Sequence, residues 1–366
     1  MSHSRIKIKS FSPLIQILIF VTIFWIALMY SYFFFTWWSI KDFLLPDLFK
    51  GYIYSPLVHI EILIQGIIFG VLYGLVDYIV DITKIRKKSF GAIILIKSIF
   101  YLLAIVISMS AVVVIYIAFD IMPLESIINM QSQIPTSFII SMLVYFFLAI
   151  IFINILSLIN RKFGHGVLYH MFMGTYHKPK KERRIFMFLD LNNSTGLAEK
   201  LGHYNYSRFI QACIHDLTKI IIQYKAEVYQ YIGDEIVLTW SIKTGFKDHN
   251  CIELFYAYQN RLDNNRNNYK SKFNCIPEFK AGLDEGIITV TEVGDIKREI
   301  AYHGDIVNTA SRLEKLCNKL GKKILISERL YKHLPPNNLF NKELIGEYQL
   351  RGKGKKEKVY GIERIV

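Results

Sequence analysis

Residues Tyr229–Trp240 read YQYIGDEIVLTW. Aromatic and β-branched residues flank a Gly-Asp-Glu tip, the pattern of a tight β-hairpin in which Gly233 supplies the backbone freedom of the turn. Acids at such a tip are either ordinary turn chemistry or ligands to a metal ion. What decides between the two is the segment that pairs beside the hairpin.

Upstream, IFMFLDL (185–191) is a short apolar run of the kind a buried strand requires, and Asp190 stands near its end. If the hairpin pairs beside this strand, Asp190 and Asp234 meet. Two carboxylates held close repel each other unless a cation lies between them. Mg2+ suits that arrangement, taking one or two carboxylates together with substrate phosphates and water. Behind Asp190 comes LNNSTG, which leads into a helix, so its backbone N–H groups can cradle phosphate oxygens. A third feature is AYHGDIVNTASRLEKLC (301–317), where Asp305 or Asn308 can start a helix. Asn308 and Arg312, four apart, then share one helical face. The amide can orient a ribose, and the guanidinium can neutralise charge on a transferring phosphoryl group. Taken singly, each feature has an ordinary reading: a turn or cap aspartate, a hairpin tip, a surface arginine.

The surrounding elements predict a helix over 205–224, a polar-surfaced helix near 249–269 and strands near 278–284 and 286–293 as a second hairpin. KILIS (323–327) and a final strand pair complete the list. Strands and hairpins mixed with helices indicate an α+β fold.

Composition divides the chain. Of 366 residues, 52% are hydrophobic, and the excess lies in the first 160. Four apolar stretches, roughly 14–38, 57–80, 93–119 and 137–158, are long enough to cross a bilayer. Arg5, Lys7 and Lys9 precede the first; Lys84, Arg86, Lys87 and Lys88 lie between the second and third; Arg161 and Lys162 follow the fourth. The other two loops are charge-balanced or free of Lys and Arg, so the positive-inside rule predicts both ends in the cytoplasm. His59 and Glu61 fall near the outer boundary of the second span, where interfacial residues are expected. The spans otherwise carry almost no charge, which argues against a transporter. The net charge of +14 belongs to these basic flanks, and no zinc-finger, RNA-binding or basic-zipper pattern supports a nucleic-acid partner. Cys213, Cys251, Cys275 and Cys317 form no CxxC pair, so free thiols are expected. The expected organisation is a four-span membrane domain (1–160), a connector helix and linker (161–182) and a soluble domain (183–366). In the connector the basic run Lys178 to Arg184 is expected as solvated surface or a lipid-facing patch.

Taken together, the soluble segments resemble the class III nucleotidyl cyclase catalytic domain, over roughly half the chain. FLDLNNST resembles the family's first metal strand, YIGDEI its metal hairpin, and GDIVNTASRLE its helix with paired Asn and Arg. KAGLDEGIITVTEVG resembles the strand pair before that helix, and EYQLRGKGKKEKVYGI the closing segment. The resemblance implies a ferredoxin-like α+β core that works as a homodimer with its site at the interface. One subunit would hold two divalent cations, Mg2+ or Mn2+, on Asp190 and Asp234, with the Leu191 backbone carbonyl as a further ligand. The other would supply Asn308 and Arg312 as catalytic residues. Asn193, Ser194, Thr195, Arg351 and Lys353 would bind the nucleotide phosphates.

The purine-selecting positions depart from the family. Gln230 and Ala301 stand where adenylyl and guanylyl cyclases carry other pairs, and a Gln amide can read either purine. The resemblance favours ATP, and hence a membrane-bound adenylate cyclase of the inner cell membrane that makes cyclic AMP for signalling. Guanylate cyclase and a catalytically silent nucleotide-binding receptor are the alternatives. A diguanylate cyclase, suggested by IGDEI, lacks the VNTASR helix.

Overall fold

The computed structural model describes residues 13–40, 50–51, 53–83, 88–121, 123, 125, 128–129, 136–163, 173–296, 298–336, 338–350, 354 and 356–365. The chain forms two compact units, Met1–Leu158 and Ile159–Val366.

The first unit is built on four long helices, α1 (Pro13–Ile40), α2 (Pro56–Ile82), α3 (Phe90–Ala118) and α4 (Thr136–Phe163). Each contains a stretch long and apolar enough to cross a membrane. Gly66, Gly70 and Gly74 repeat every fourth residue on α2 and let α1 approach closely: a Cβ on Gly70 would lie 2.6 Å from the Thr22 backbone. Trp25 of α1 is fully buried, its ring set edge-on to Phe69 at 4.7 Å. His59 packs against the rings of Tyr30 and Phe33. Glu61 accepts a hydrogen bond from Tyr116 at 2.5 Å.

The expectation of nearly charge-free spans misses one pair. Lys97 on α3 is 5% exposed and bonds to Asp77 on α2, which also accepts from the Tyr101 hydroxyl at 2.6 Å. Read singly along the chain, each charge lies near the end of its own helix. Only the α2–α3 packing shows them to be one buried contact.

The second unit is an eight-stranded sheet: β1 (Lys180–Leu191), β2 (Glu227–Ile232), β3 (Glu235–Ser241), β4 (Phe279–Val293), β5 (Glu299–His303), β6 (Ile324–Ser327), β7 (Phe340–Tyr348) and β8 (Glu357–Arg364). The order is β2-β3-β1-β4-β6-β8-β7, with β5 paired to β4. Its helices are α5 (Ser194–Gln223), α6 (Ile242–Phe246), α7 (Asn250–Asn264), α8 (Arg266–Phe273), α9 (Asp305–Leu320) and α10 (Glu328–His333). Strands β1 to β4 with α5 and α7 make a ferredoxin-like β-α-β-β-α-β core. Alternate residues of β1 face opposite sides of the sheet. Ile185, Met187, Leu189 and Leu191 enter the main core with Phe209, Leu217 and Phe255 from α5 and α7. Phe186 and Phe188 face the other side, with Ile306 and Ala310 of α9.

Two local expectations are corrected. Residues 278–293 do not form a hairpin: β4 runs unbroken, because Asp284 and Glu285 are fully buried and paired. Asp284 bonds to Ser327 and Arg329, and Glu285 takes two bonds from Arg183 at 2.9 and 3.0 Å. The hairpin partner of β4 is β5, reached through residues 294–298. The basic run is also not wholly solvated. Residues from Lys180 onward belong to β1, and Arg184 is 6% exposed, bonded to Glu227 and Thr239 with its guanidinium 5.4 Å from the Tyr302 ring centre. The remainder of the expected connector, 164–172, lies outside the described residues.

Helix α9 lies directly on β4 at Gly282, where a Cβ would stand 2.1 Å from the Glu314 backbone nitrogen and 2.3 Å from the Ala310 carbonyl oxygen. These are backbone atoms that cannot rotate away. Gly282→Ala is expected to destabilise the second unit by about 3 kcal/mol, read as a lowered unfolding midpoint. An unchanged midpoint would mean that α9 is free to shift on the sheet.

Candidate active site

The site grows from the centre of the sheet. β1 pairs with β3 on one side, Leu189 opposite Ile236, and with β4 on the other, Asp190 opposite Lys280. The β2–β3 turn, with Gly233 at φ 65°, carries Asp234 to the same end. Asp190 and Asp234 are therefore neighbours, close enough for each charge to be felt. Burial raises the Asp190 carboxyl above its ordinary value, Lys280 opposes the rise and Asp234 adds to it. Glu235 is half-buried and is raised mainly by burial, then by Asp190.

Lys280 is the functional candidate that the motif pattern passes over. Its ammonium lies 3.3 Å from Asp190 and 2.9 Å from Glu314 of α9. The Glu314 side chain is 2% exposed, and its carboxyl is raised by burial. The available signal was a charge inside the apolar strand FKAGL together with a glutamate closing the quoted ASRLE run. Neither residue has an obvious solvent-facing role.

Beyond Asp190, Leu191 is buried and Asn192 donates its backbone N–H to the Glu278 carbonyl at 2.7 Å. Asn193 adopts a left-handed conformation (φ 53°, ψ 38°) and Ser194 and Thr195 open α5. The first N–H groups of a helix have no intrahelical acceptor, so this turn presents donors beside Asp190. Gly196 makes room for the turn, since a Cβ there would touch the Asn193 side chain at 2.8 Å.

On α9, Asn308 is exposed and Arg312 half-buried. Neither pairs with Asp190 or Asp234 among the described residues. Gln230 is exposed on β2, beside the irregularity that separates Val228 from Gln230 in the pairing with β3. Ala301 lies on β5 opposite Thr291. The neighbours of these two, Tyr229 and Tyr302, meet edge-to-face at 4.8 Å, which ties β2 to β5. Arg351 and Lys353 lie outside the described residues.

The donor set suits a hard divalent cation. Two carboxylates and nearby backbone carbonyls are oxygen ligands of the kind Mg2+ and Mn2+ take, with substrate oxygens completing the shell. Among the described residues no group of three or more His, Cys, Asp or Glu could form a closed protein cage.

The adenylate and guanylate cyclase catalytic domain matches residues 176–364. Adenylate cyclase 2 of Rhizobium meliloti is 32% identical over 193 residues, 53% of this chain and 53% of that protein. An adenylate cyclase of Anabaena cylindrica is 27% identical over 185 residues, 48% of this chain and 36% of that one. The chain thus spans about half or less of these relatives' own lengths. The structure of a bacterial light-regulated adenylyl cyclase shares the fold, with a TM-score of 0.52 at 20% identity over 60% of this chain and 64% of that one.

Lys280 offsets carboxylates that would otherwise face one another unbalanced. Lys280→Met is expected to lower stability in a metal chelator by about 1–3 kcal/mol. Added Mg2+ should then raise the unfolding midpoint of the variant more than that of the parent protein. Equal midpoints with and without Mg2+ would remove Asp190 from the cation's neighbourhood.

Proposed function

We propose that this chain, which belongs to the adenylate and guanylate cyclase catalytic domain family, converts ATP to 3′,5′-cyclic AMP and pyrophosphate. The observation that carries the reading is the meeting of Asp190 and Asp234 at one strand end, beside the donor-rich start of α5. The first unit is read as a four-span membrane anchor with both ends in the cytoplasm, and the product as an intracellular signal.

In this reading Asp190 and Asp234 hold two divalent cations. When bound, these ions lower the pKa of the ribose 3′-hydroxyl and neutralise the triphosphate. The 3′-oxygen attacks the α-phosphorus, the new P–O ester closes the ring, and the bond to the β-phosphate oxygen breaks. The hydroxyl proton passes to solvent and pyrophosphate leaves. The turn of Asn193, Ser194 and Thr195 donates backbone N–H groups to phosphate oxygens, with Arg351 and Lys353 contacting the terminal phosphates. Asn308 orients the ribose and Arg312 offsets charge building on the reacting phosphoryl group.

Among the described residues neither Asn308 nor Arg312 pairs with Asp190 or Asp234, which supports a site shared between two copies. One copy would give the metal ligands and the other the α9 residues, so a homodimer would hold two equivalent sites.

ATP is favoured over GTP by the family's adenylate cyclase relatives, while Gln230 itself can pair with either purine edge. Incubation of the full chain with each nucleotide in Mg2+ and in Mn2+, followed by identification of the cyclic product, separates the two. Cyclic AMP is expected, and cyclic GMP as the main product would reverse the assignment. Gln230→Lys should raise the ATP-over-GTP ratio of kcat/KM by about tenfold, because an ammonium can donate to adenine N1 but meets a donor on guanine N1. Asp234→Ala should cut turnover by at least about 100-fold, some 2.7 kcal/mol of barrier, with the fold intact. Full metal-dependent activity in that variant would end the metal assignment.

A further inference from the structure

Helix α9 starts without a side-chain cap. Gly304 precedes it and offers no capping oxygen. Its first residue, Asp305, is held another way. The Arg329 guanidinium, from the first turn of α10, donates through Nη2 both to Asp305 Oδ2 at 3.3 Å and to Asp284 Oδ2. Asp284 is a fixed anchor. It is fully buried in β4, and its Oδ1 accepts from the Ser327 hydroxyl and from the Glu285 backbone N–H at 2.8 Å. Ser327 in turn caps α10 by accepting from the Leu330 N–H at 3.1 Å. Arg329 is thus set by a rigid strand and a capped turn, and it reaches out to a helix end.

The guanidinium does not make its best local pairing. A fork-on-fork contact to one carboxylate would use two nitrogens, yet the same Nη2 serves both acids and the buried Nε has no hydrogen-bond partner among the described residues. Spanning two elements has taken precedence over pairing well with one. Asp305, Asn308 and Arg312 stand at i, i+3 and i+7, so the tethered residue lies on the same helical stripe as the two proposed catalytic side chains. Gly282 fixes how closely the middle of α9 approaches β4. The first turn also packs through Ile306, and Arg329 adds a directional polar tie to its leading residue.

We propose that Arg329 is a positioning residue: by bridging Asp284 to Asp305 it fixes the first turn of α9, and so aims Asn308 and Arg312. The proposal rests on the cyclase reading above and adds a residue to it. Arg329 touches no reacting atom in this scheme. A displacement of about 1 Å at a reacting centre can cost on the order of 100-fold in rate, so losing the bridge should appear in kcat.

The test uses the full chain. Arg329→Met should lower kcat by about 10- to 100-fold while changing the KM for the nucleotide less than about threefold. Arg329→Lys, which can still reach one acid, should recover part of the loss. In an Asn308→Ala background the same Arg329→Met change should cost less than in the parent chain, because one of the two residues it aims is gone. Hydrogen exchange of the metal-free protein should show faster exchange in the first turns of α9 in the Met variant, with the β1–β3 amides unchanged. Losses that multiply fully in the double variant would overturn the proposal, as would a Met variant with parental kcat. If the parent chain forms no cyclic nucleotide, the cyclase reading fails by itself. Exchange at α9 then still decides whether the bridge holds the helix, and unchanged exchange would refute it.

Discussion

Carboxylates gathered at one strand end need positive charge among them, and the central sheet is arranged around that need. β1 brings Asp190 opposite Lys280, the β2–β3 turn brings Asp234, β3 brings Glu235, and α9 brings Glu314. Lys280 is ion-paired with Asp190 and Glu314 at once. The bridge joins the strand proposed to bind metal to the helix proposed to stabilise the transition state, so the two halves of the chemistry are mechanically linked within one chain. Any cation that enters beside Asp190 must share it with, or take it from, a lysine already in place.

The second constraint is close packing. Gly282 lets α9 lie on β4 at backbone distance, and this fixes the helix against the strand that carries Lys280 and Asp284. Electrostatic bridges then set the remaining freedom: Glu314 near the helix centre through Lys280, and Asp305 at its start through Arg329. Helix, strand and the Asp190 end of the sheet are therefore tied together, as the proposed chemistry, sensitive to displacements of about 1 Å, requires.

Much of this was legible in the residues. The hairpin around Gly233 and Asp234, the buried strand ending in Asp190 and the helix of Asn308 and Arg312 rest on local patterns, and local patterns survive folding. So do four long apolar helices. What escaped was set by tertiary partners. DEG at 284–286 reads as a turn because acids followed by glycine favour turns, but Arg329, Arg183 and Ser327 make those acids acceptable inside a strand. Arg184 reads as one more surface charge until Glu227 and Tyr302 are seen around it. Lys280 and Arg329 share no motif with their partners, being separated from them by tens of residues, and only the register of the sheet shows the contact. Gln230 and Ala301 lie on strands drawn together through Tyr229 and Tyr302, a relation that spacing along the chain does not reveal.

The Asp77–Lys97 pair bears on how the first unit is made. A charge inside an apolar helix is costly in lipid unless it is paired, and Lys97 of α3 finds its carboxylate on α2. Asp77 and Lys97 neutralise each other, with Tyr101 adding a hydrogen bond. In a bilayer, parting α2 from α3 would leave Lys97 without its carboxylate in apolar surroundings, so the pair opposes independent movement of the two helices.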